Sequence, residues 1–208
     1  MRKGAKVKIR TAIALMLACA LPLAAAPTTG KGKKKVPRDY ANTIATLQTD
    51  MGDITLKFFY DKAPRHVENF IELAESGFYD GTLFHRVIPG FMIQGGDPNT
   101  KISPEDPRKP YGTGGSGKHV KAEFNDVSHK RGIVSMARAA DPNSASSQFF
   151  IVVKDSTFLD GQYSAFGEVV SGMDVADKIA AAPRGANDRP NQPIHIKKVL
   201  LSTAKSTN

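Results

Sequence analysis

The sequence contains no tryptophan and a single cysteine. That residue, Cys19, lies in an apolar stretch near the N-terminus, so everything after it is cysteine-free. Disulfides, thiol catalysis and cysteine-based metal centres are therefore excluded from the body of the chain. Without tryptophan, no site can offer an indole N–H as a donor. Acidic residues are absent before Asp39. Histidines are few, and His119, His129 and His195 lack the spacing of metal ligands. No metal site or cofactor is expected.

The formal net charge of +9 belongs mostly to the N-terminal end. Arg2, Lys3, Lys6, Lys8 and Arg10 form a basic start, and Lys31, Lys33, Lys34, Lys35 and Arg38 follow. Removing these ten leaves nineteen basic residues against 20 acidic ones. A nearly neutral body has no basic groove for nucleic acid. Residues 11–26 are apolar and uncharged but shorter than the ~20 residues that span a bilayer, and they end in Leu23, Ala24, Ala25 and Ala26. A basic start, a short apolar stretch and small residues are the layout of a signal peptide over 1–26. Leu17, Ala18 and Cys19 also resemble a lipoprotein cleavage box, a minor alternative. The expected location is periplasmic or secreted, with no stable membrane insertion once the signal is removed. Residues 27–41 read as a basic flexible linker, 42–203 as the folded domain and 204–208 as a tail.

All eleven phenylalanines lie between Phe58 and Phe166, which places the core. Residues 42–49 and 52–59 alternate as two strands about a turn at Asp50, Met51 and Gly52. The period then changes. Pro64 suits the first turn of a helix, Val67, Phe70, Ile71 and Ala74 form its apolar face, and Gly77 ends it. Short apolar runs at 83–88, 91–94, 133–137, 149–153, 165–170 and 194–201 predict strands, with a second helix over 173–181. Many short strands and two helices suggest a mainly β, closed antiparallel barrel capped by helices. The long segment 97–118 contains GTGGSGKH at 112–119, close to a phosphate-binding loop. His119 stands where Ser or Thr is required and no helix follows, so it reads as a surface loop.

At 84–96 the chain reads FHRVIPGFMIQGG. Alternation turns Met92 and Gln94 to one face, where Arg86 can join them. Spacing alone leaves open whether this is a site or a core hairpin with an edge arginine. His85 is sent the other way and reads as a satisfied core residue. Ser144, Ser146 and Ser147 lie in a small-residue loop without a nucleophile-elbow pattern.

The run FHRVIPGFMIQGGDP at 84–98 strongly resembles the signature of the cyclophilin family. SMARAADPNSASSQFFI at 135–151, FLDGQYSAFGEVVSGMD at 158–174 and PRHVENFIELAESGFYDGT at 64–82 match further family segments, in order and spacing, over roughly residues 42–203. The resemblance implies an eight-stranded closed antiparallel β-barrel capped by two α-helices, with a peptide groove on its outer surface. It implies peptidyl-prolyl cis-trans isomerase activity on proline-containing peptide segments. With the signal-peptide layout, the expected substrates are unfolded or exported proteins whose folding it assists, and nothing visible requires a dimer, so a monomer is the default. The resemblance makes Arg86 the catalytic arginine and Phe91, Met92, Phe150 and Leu159 the pocket for the proline ring. Gln94 and Gln148 become polar holders of the peptide, and Ala137 and Arg138 lie on the segment flanking it. Phe158 stands where eukaryotic members carry Trp, and Tyr163 where they carry His. Arg138 replaces their Asn, leaving the role of that side chain open. A non-catalytic peptide-binding module and a structural secreted domain are the rival readings. The Arg86, Phe91, Met92, Gln94 and Phe150 set favours the enzyme.

Overall fold

A computed structural model describes Met1 and residues 39–101 and 105–203. Apart from Met1, the expected signal peptide lies outside these residues, as do the linker up to residue 38 and the tail 204–208. The first two strands, β1 (Thr43–Thr49) and β2 (Gly52–Phe58), form the antiparallel hairpin that alternation predicts. Their inward residues are Ala45, Leu47, Ile54, Leu56 and Phe58, all buried.

Helix α1 (Pro64–Glu75) begins at the expected proline. Ala63, at its N-cap, has no side chain to satisfy the free amides. A distant carboxylate replaces it: Glu123 accepts hydrogen bonds from the backbone N–H groups of Arg65 and His66, at 3.1 and 3.0 Å. At the other end Gly77 is left-handed, φ 70°, and the amides of Gly77 and Phe78 donate back to Ala74 and Leu73. This is a Schellman stop, and the sign of φ explains the glycine.

The strands β3 (Thr82–Leu83), β4 (Arg86–Ile88), β5 (Met92–Gly95), β6 (Ile133–Met136), β7 (Phe149–Val152), β8 (Ala165–Ser171) and β9 (His195–Thr203) complete one antiparallel sheet. Helix α2 (Met173–Ala180) precedes the last strand. The order across the sheet is β3-β9-β1-β2-β8-β6-β7-β5-β4, nine strands rather than the expected eight. The difference arises in the run 83–88, which alternation reads as one strand. It breaks in two because its halves pair with different neighbours, β3 with β9 and β4 with β5. The residues between them serve both sides. Phe84 N–H donates to Ile194 O, and His85 N–H donates to Gln94 O. The two edges of the curled sheet are thus successive pieces of one segment, and the chain itself joins them.

Phe70 of α1 plugs the barrel, its ring 4.9 Å from Tyr79, 5.4 Å from Phe149 and 5.6 Å from Phe166. Every residue of β6 and β7 is buried, so both faces of that wall carry apolar packing. Val134, Met136, Phe149 and Ile151 face the core, while Ile133, Phe150 and Val152 belong to a separate apolar cluster on the outer face.

Acid should destabilise this fold early. His66 is fully buried and its Nε2 has no partner. Burial pushes its imidazole below the ordinary 6.5, against the raising pull of Glu123, and burial lowers His85 likewise. The folded state resists protons that the unfolded chain accepts, so this stability is full above the ordinary histidine value and lost as pH falls below it. Melting temperature is expected to hold from about pH 8 to 7 and decline below about pH 6.5, before the carboxylates titrate. A profile flat down to about pH 5 would contradict the assignment.

Candidate active site

The outer apolar cluster needs a cover, and the structure leaves part of it open. Met92 on β5 and Phe150 on β7 project outward from the wall, each at most 5 % exposed. Leu159, on the turn Thr157–Leu159, packs on the same cluster, with Phe91, Ala137 and Tyr163 at its margin. Tyr163 meets Phe150 edge-on, ring centres 5.5 Å apart. These side chains line an open cavity of about 200 Å3. That is below the ~300–1,000 Å3 of pockets for drug-sized ligands, so it suits one side chain of a larger molecule.

Arg86, Gln94 and Arg138 supply the polar part of this lining. Arg86 lies opposite Gln94 in the β4–β5 register, which is why the two converge. The Arg86 side chain is 44 % exposed, with its Nε 3.4 Å from Asp188 Oδ2. Gln94 donates through Nε2 to Gln148 Oε1 at 2.9 Å. Nine of the eleven side chains expected from the sequence therefore line one cavity. Gln148 lies beside it. Phe158 stands on the rim, 64 % exposed, its ring centre 5.5 Å from that of Phe91.

A second cavity of about 350 Å3 adjoins the first and shares Gln94, Ala137 and Arg138 with it. Its far wall is Gly112, Thr113 and Gly114, part of the long loop whose role the sequence leaves open. The loop is tied down at two points. Gln148 Nε2 donates to the carbonyls of Gly112 and Gly114, at 3.0 and 2.8 Å. The buried carboxylate of Asp97 accepts the amides of Asn99, Gly112 and Gly114. A Cβ on Gly114 would stand 2.1 Å from Asp97 Oδ1, so only glycine fits. Two of the glycine amides that a phosphate would need, those of Gly112 and Gly114, are already bound to this internal carboxylate.

Comparison with known proteins decides the family. The description "Cyclophilin type peptidyl-prolyl cis-trans isomerase/CLD" matches residues 44–200. A probable peptidyl-prolyl cis-trans isomerase of Brucella abortus is 41 % identical over 197 residues, covering 93 % of this chain and 96 % of that protein. Peptidyl-prolyl cis-trans isomerase A of Dickeya dadantii is 43 % identical over 170 residues, 79 % of this chain and 84 % of that protein. The crystal structure of a Cryptosporidium parvum cyclophilin superposes with a TM-score of 0.69 at 32 % identity, over 77 % of this chain and 98 % of the other. The chain belongs to the cyclophilin-type peptidyl-prolyl cis-trans isomerases.

In this cyclophilin two buried histidines have surroundings that their spacing does not reveal. His129 has no metal-ligand spacing, yet it occupies a polar relay: its Nδ1 lies 2.9 Å from Asp160 Oδ1 and its Nε2 3.0 Å from Ser135 Oγ. The arrangement has the order of a hydrolase triad without its access. Ser135 is fully buried, and the His129 ring stacks on Phe150 at 6.2 Å. It braces the pocket floor from behind. Asp160 is held below the usual carboxylate range, chiefly by the His129 amide and Ser128. His85 is buried as expected but not satisfied, since neither ring nitrogen finds a hydrogen-bond partner. Among the described residues no three His, Cys, Asp or Glu side chains stand together to hold a metal. Asp188, His129 and Ser135 carry no local motif; only the tertiary contacts reveal them.

Replacing Gln148 by Leu should release the loop without unfolding the barrel. Losing hydrogen bonds of ~1 kcal/mol or more each predicts about tenfold faster amide exchange at Gly112 and Gly114. Exchange in β1 and β9 should stay unchanged. Unaltered loop exchange would show that Gln148 is not the tether.

Proposed function

We propose that the isomerase acts through the outer cavity, where Met92, Phe150, Leu159 and Phe91 hold a substrate proline ring and Arg86 is the catalytic residue. The observation that carries this reading is an apolar pocket of single-ring size with the Arg86 guanidinium among its lining groups. Support comes from the Cryptosporidium parvum relative, whose structure was also determined in the presence of the dipeptide Ala-Pro.

Rotation about a prolyl bond is slow because amide resonance sets a barrier of ~18–20 kcal/mol. Shortening tens of seconds to milliseconds needs a ~10⁴-fold gain, or about 5–6 kcal/mol. No bond is made or broken, so no nucleophile, metal or cofactor enters. The apolar floor grips the ring and leaves the preceding carbonyl free to swing. As the bond twists, the prolyl nitrogen recovers its lone pair and becomes a better acceptor. A hydrogen bond from Arg86 then strengthens in the transition state rather than the ground state. Asp188 holds the Nε edge of Arg86, so the Nη groups are the donors this reading assigns to the substrate. A ring seated on the apolar floor displaces water, which also disfavours the planar, more dipolar amide. Gln94 and Gln148 border the path of the peptide on either side of the cavity junction.

The substrates in this reading are exported or envelope proteins, whose folding a monomeric enzyme assists by keeping their prolines moving. The basic start, the apolar stretch 11–26 and its small-residue end support export, as does the absence of cysteine after residue 19.

Arg86→Ala should lower kcat by about a hundredfold, the scale of losing one transition-state donor, with a much smaller change in peptide Kd. Arg86→Lys should recover little, because an ammonium does not reproduce the guanidinium fork. Exchange NMR on an Xaa-Pro peptide gives both quantities, and equal losses in rate and binding would overturn the role. Export is checked by fractionating cells that express the full chain and determining the N-terminus by mass spectrometry. A processed protein outside the cytoplasm is expected, and an intact cytoplasmic chain would refute it.

A further inference from the structure

Arg138 stands where the two cavities meet and lines both. Its guanidinium lies 4.8 Å from the centre of the Tyr163 ring, which fixes its plane. Nε and Nη2 donate to Gln162 O at 3.2 and 3.1 Å, and Nη1 donates to Ala139 O and Ala140 O at 2.9 and 3.2 Å. A guanidinium has five N–H donors. Four are thus engaged, and one, on Nη2, is left over. Every acceptor is a neutral carbonyl. Arg86, Arg131, Arg184 and Arg189 each pair with a carboxylate, whereas among the described residues none is paired with Arg138.

The rest of the second cavity cannot answer for this charge. Its other lining residues are uncharged. Most of its polar side chains are already engaged within the protein: Gln94 with Gln148, Gln148 with the loop carbonyls, Ser144 with Asp141 O, Ser146 with Lys118 O and Thr113 with Pro110 O. An uncompensated positive charge with an unspent N–H remains, half-buried, on the path of a peptide seated in the first cavity.

We propose that Arg138 selects substrates carrying an acidic side chain within a few residues of the isomerised proline, on the arm of the peptide that crosses the second cavity. The cavities adjoin and an extended peptide advances ~3.3 Å per residue, so a residue near the proline can reach the second one. This rests on the groove reading above and adds a substrate class to it.

The test compares Glu with Gln at each of the three positions before and after proline, in otherwise uncharged peptides, by exchange NMR. In the wild type, Glu should exceed Gln in kcat/KM by about three- to tenfold at one position or two adjacent ones, the scale of a partly exposed charge-assisted hydrogen bond. The gain should lie mainly in KM. In Arg138→Gln the Glu-to-Gln ratio should fall to about one, and Arg138→Lys should keep part of it. Any distortion of the loop would slow both peptides together and leave the ratio alone. A wild-type ratio near one at every position overturns the proposal, as does a ratio that survives Arg138→Gln. The groove reading is tested separately, by the dependence of the uncharged peptide on Arg86.

Discussion

The two-residue period of a β-strand forces one wall of this barrel to serve two apolar environments at once. On β5, β6 and β7, Ile93, Val134, Met136, Phe149 and Ile151 turn inward, and Met92, Ile133, Phe150 and Val152 turn outward. The inner set fills the core and the outer set makes the floor of the groove. A slip of one residue would exchange them, leaving both surfaces wrong. The packing of the barrel therefore specifies the groove as well. Arg86 and Gln94 meet at its edge because the same register pairs them across β4 and β5.

Around that apolar floor, polar groups act as fasteners. Asp97 and Gln148 draw a long glycine-rich loop into a wall, although the loop has almost no regular structure of its own. Asp160, His129 and Ser135 brace Phe150 from behind. Glu123 closes the start of the helix whose Phe70 plugs the barrel. Each fastener joins segments far apart in sequence, so a fold with few regular elements holds its surface loops in place. The charges left facing the groove are then few enough to read singly: Arg86 balanced on one side by Asp188, and Arg138 balanced by no carboxylate among the described residues.

An isomerase of this kind needs shape and one well-placed donor more than reactive groups. That explains why the site contains no activated nucleophile and why the one triad-like set is sealed. Ser135 is fully buried and bonded to His129, and in the proposed reading the Arg86 guanidinium carries the chemistry.

Much of this was legible in the chain. Alternation located β1 and β2 within a residue, the 3.6-residue face and its flanking Pro64 and Gly77 located α1, and the FHRVIPGFMIQGG segment placed Arg86, Met92 and Gln94 on one face. These features depend on neighbours in sequence, where periodicity and backbone sterics act directly. The break of 83–88 into two strands was hidden, because it depends on Phe84 and His85 bonding to partners on opposite edges of the sheet. So were the relay at His129, the Asp188 support of Arg86 and the unspent donor of Arg138, each set by residues brought together from distant segments. By itself the sequence determined which side chains can face together along each strand and helix. Only the tertiary structure decided which of them meet across the chain, because burial and hydrogen-bond satisfaction are properties of the packed whole.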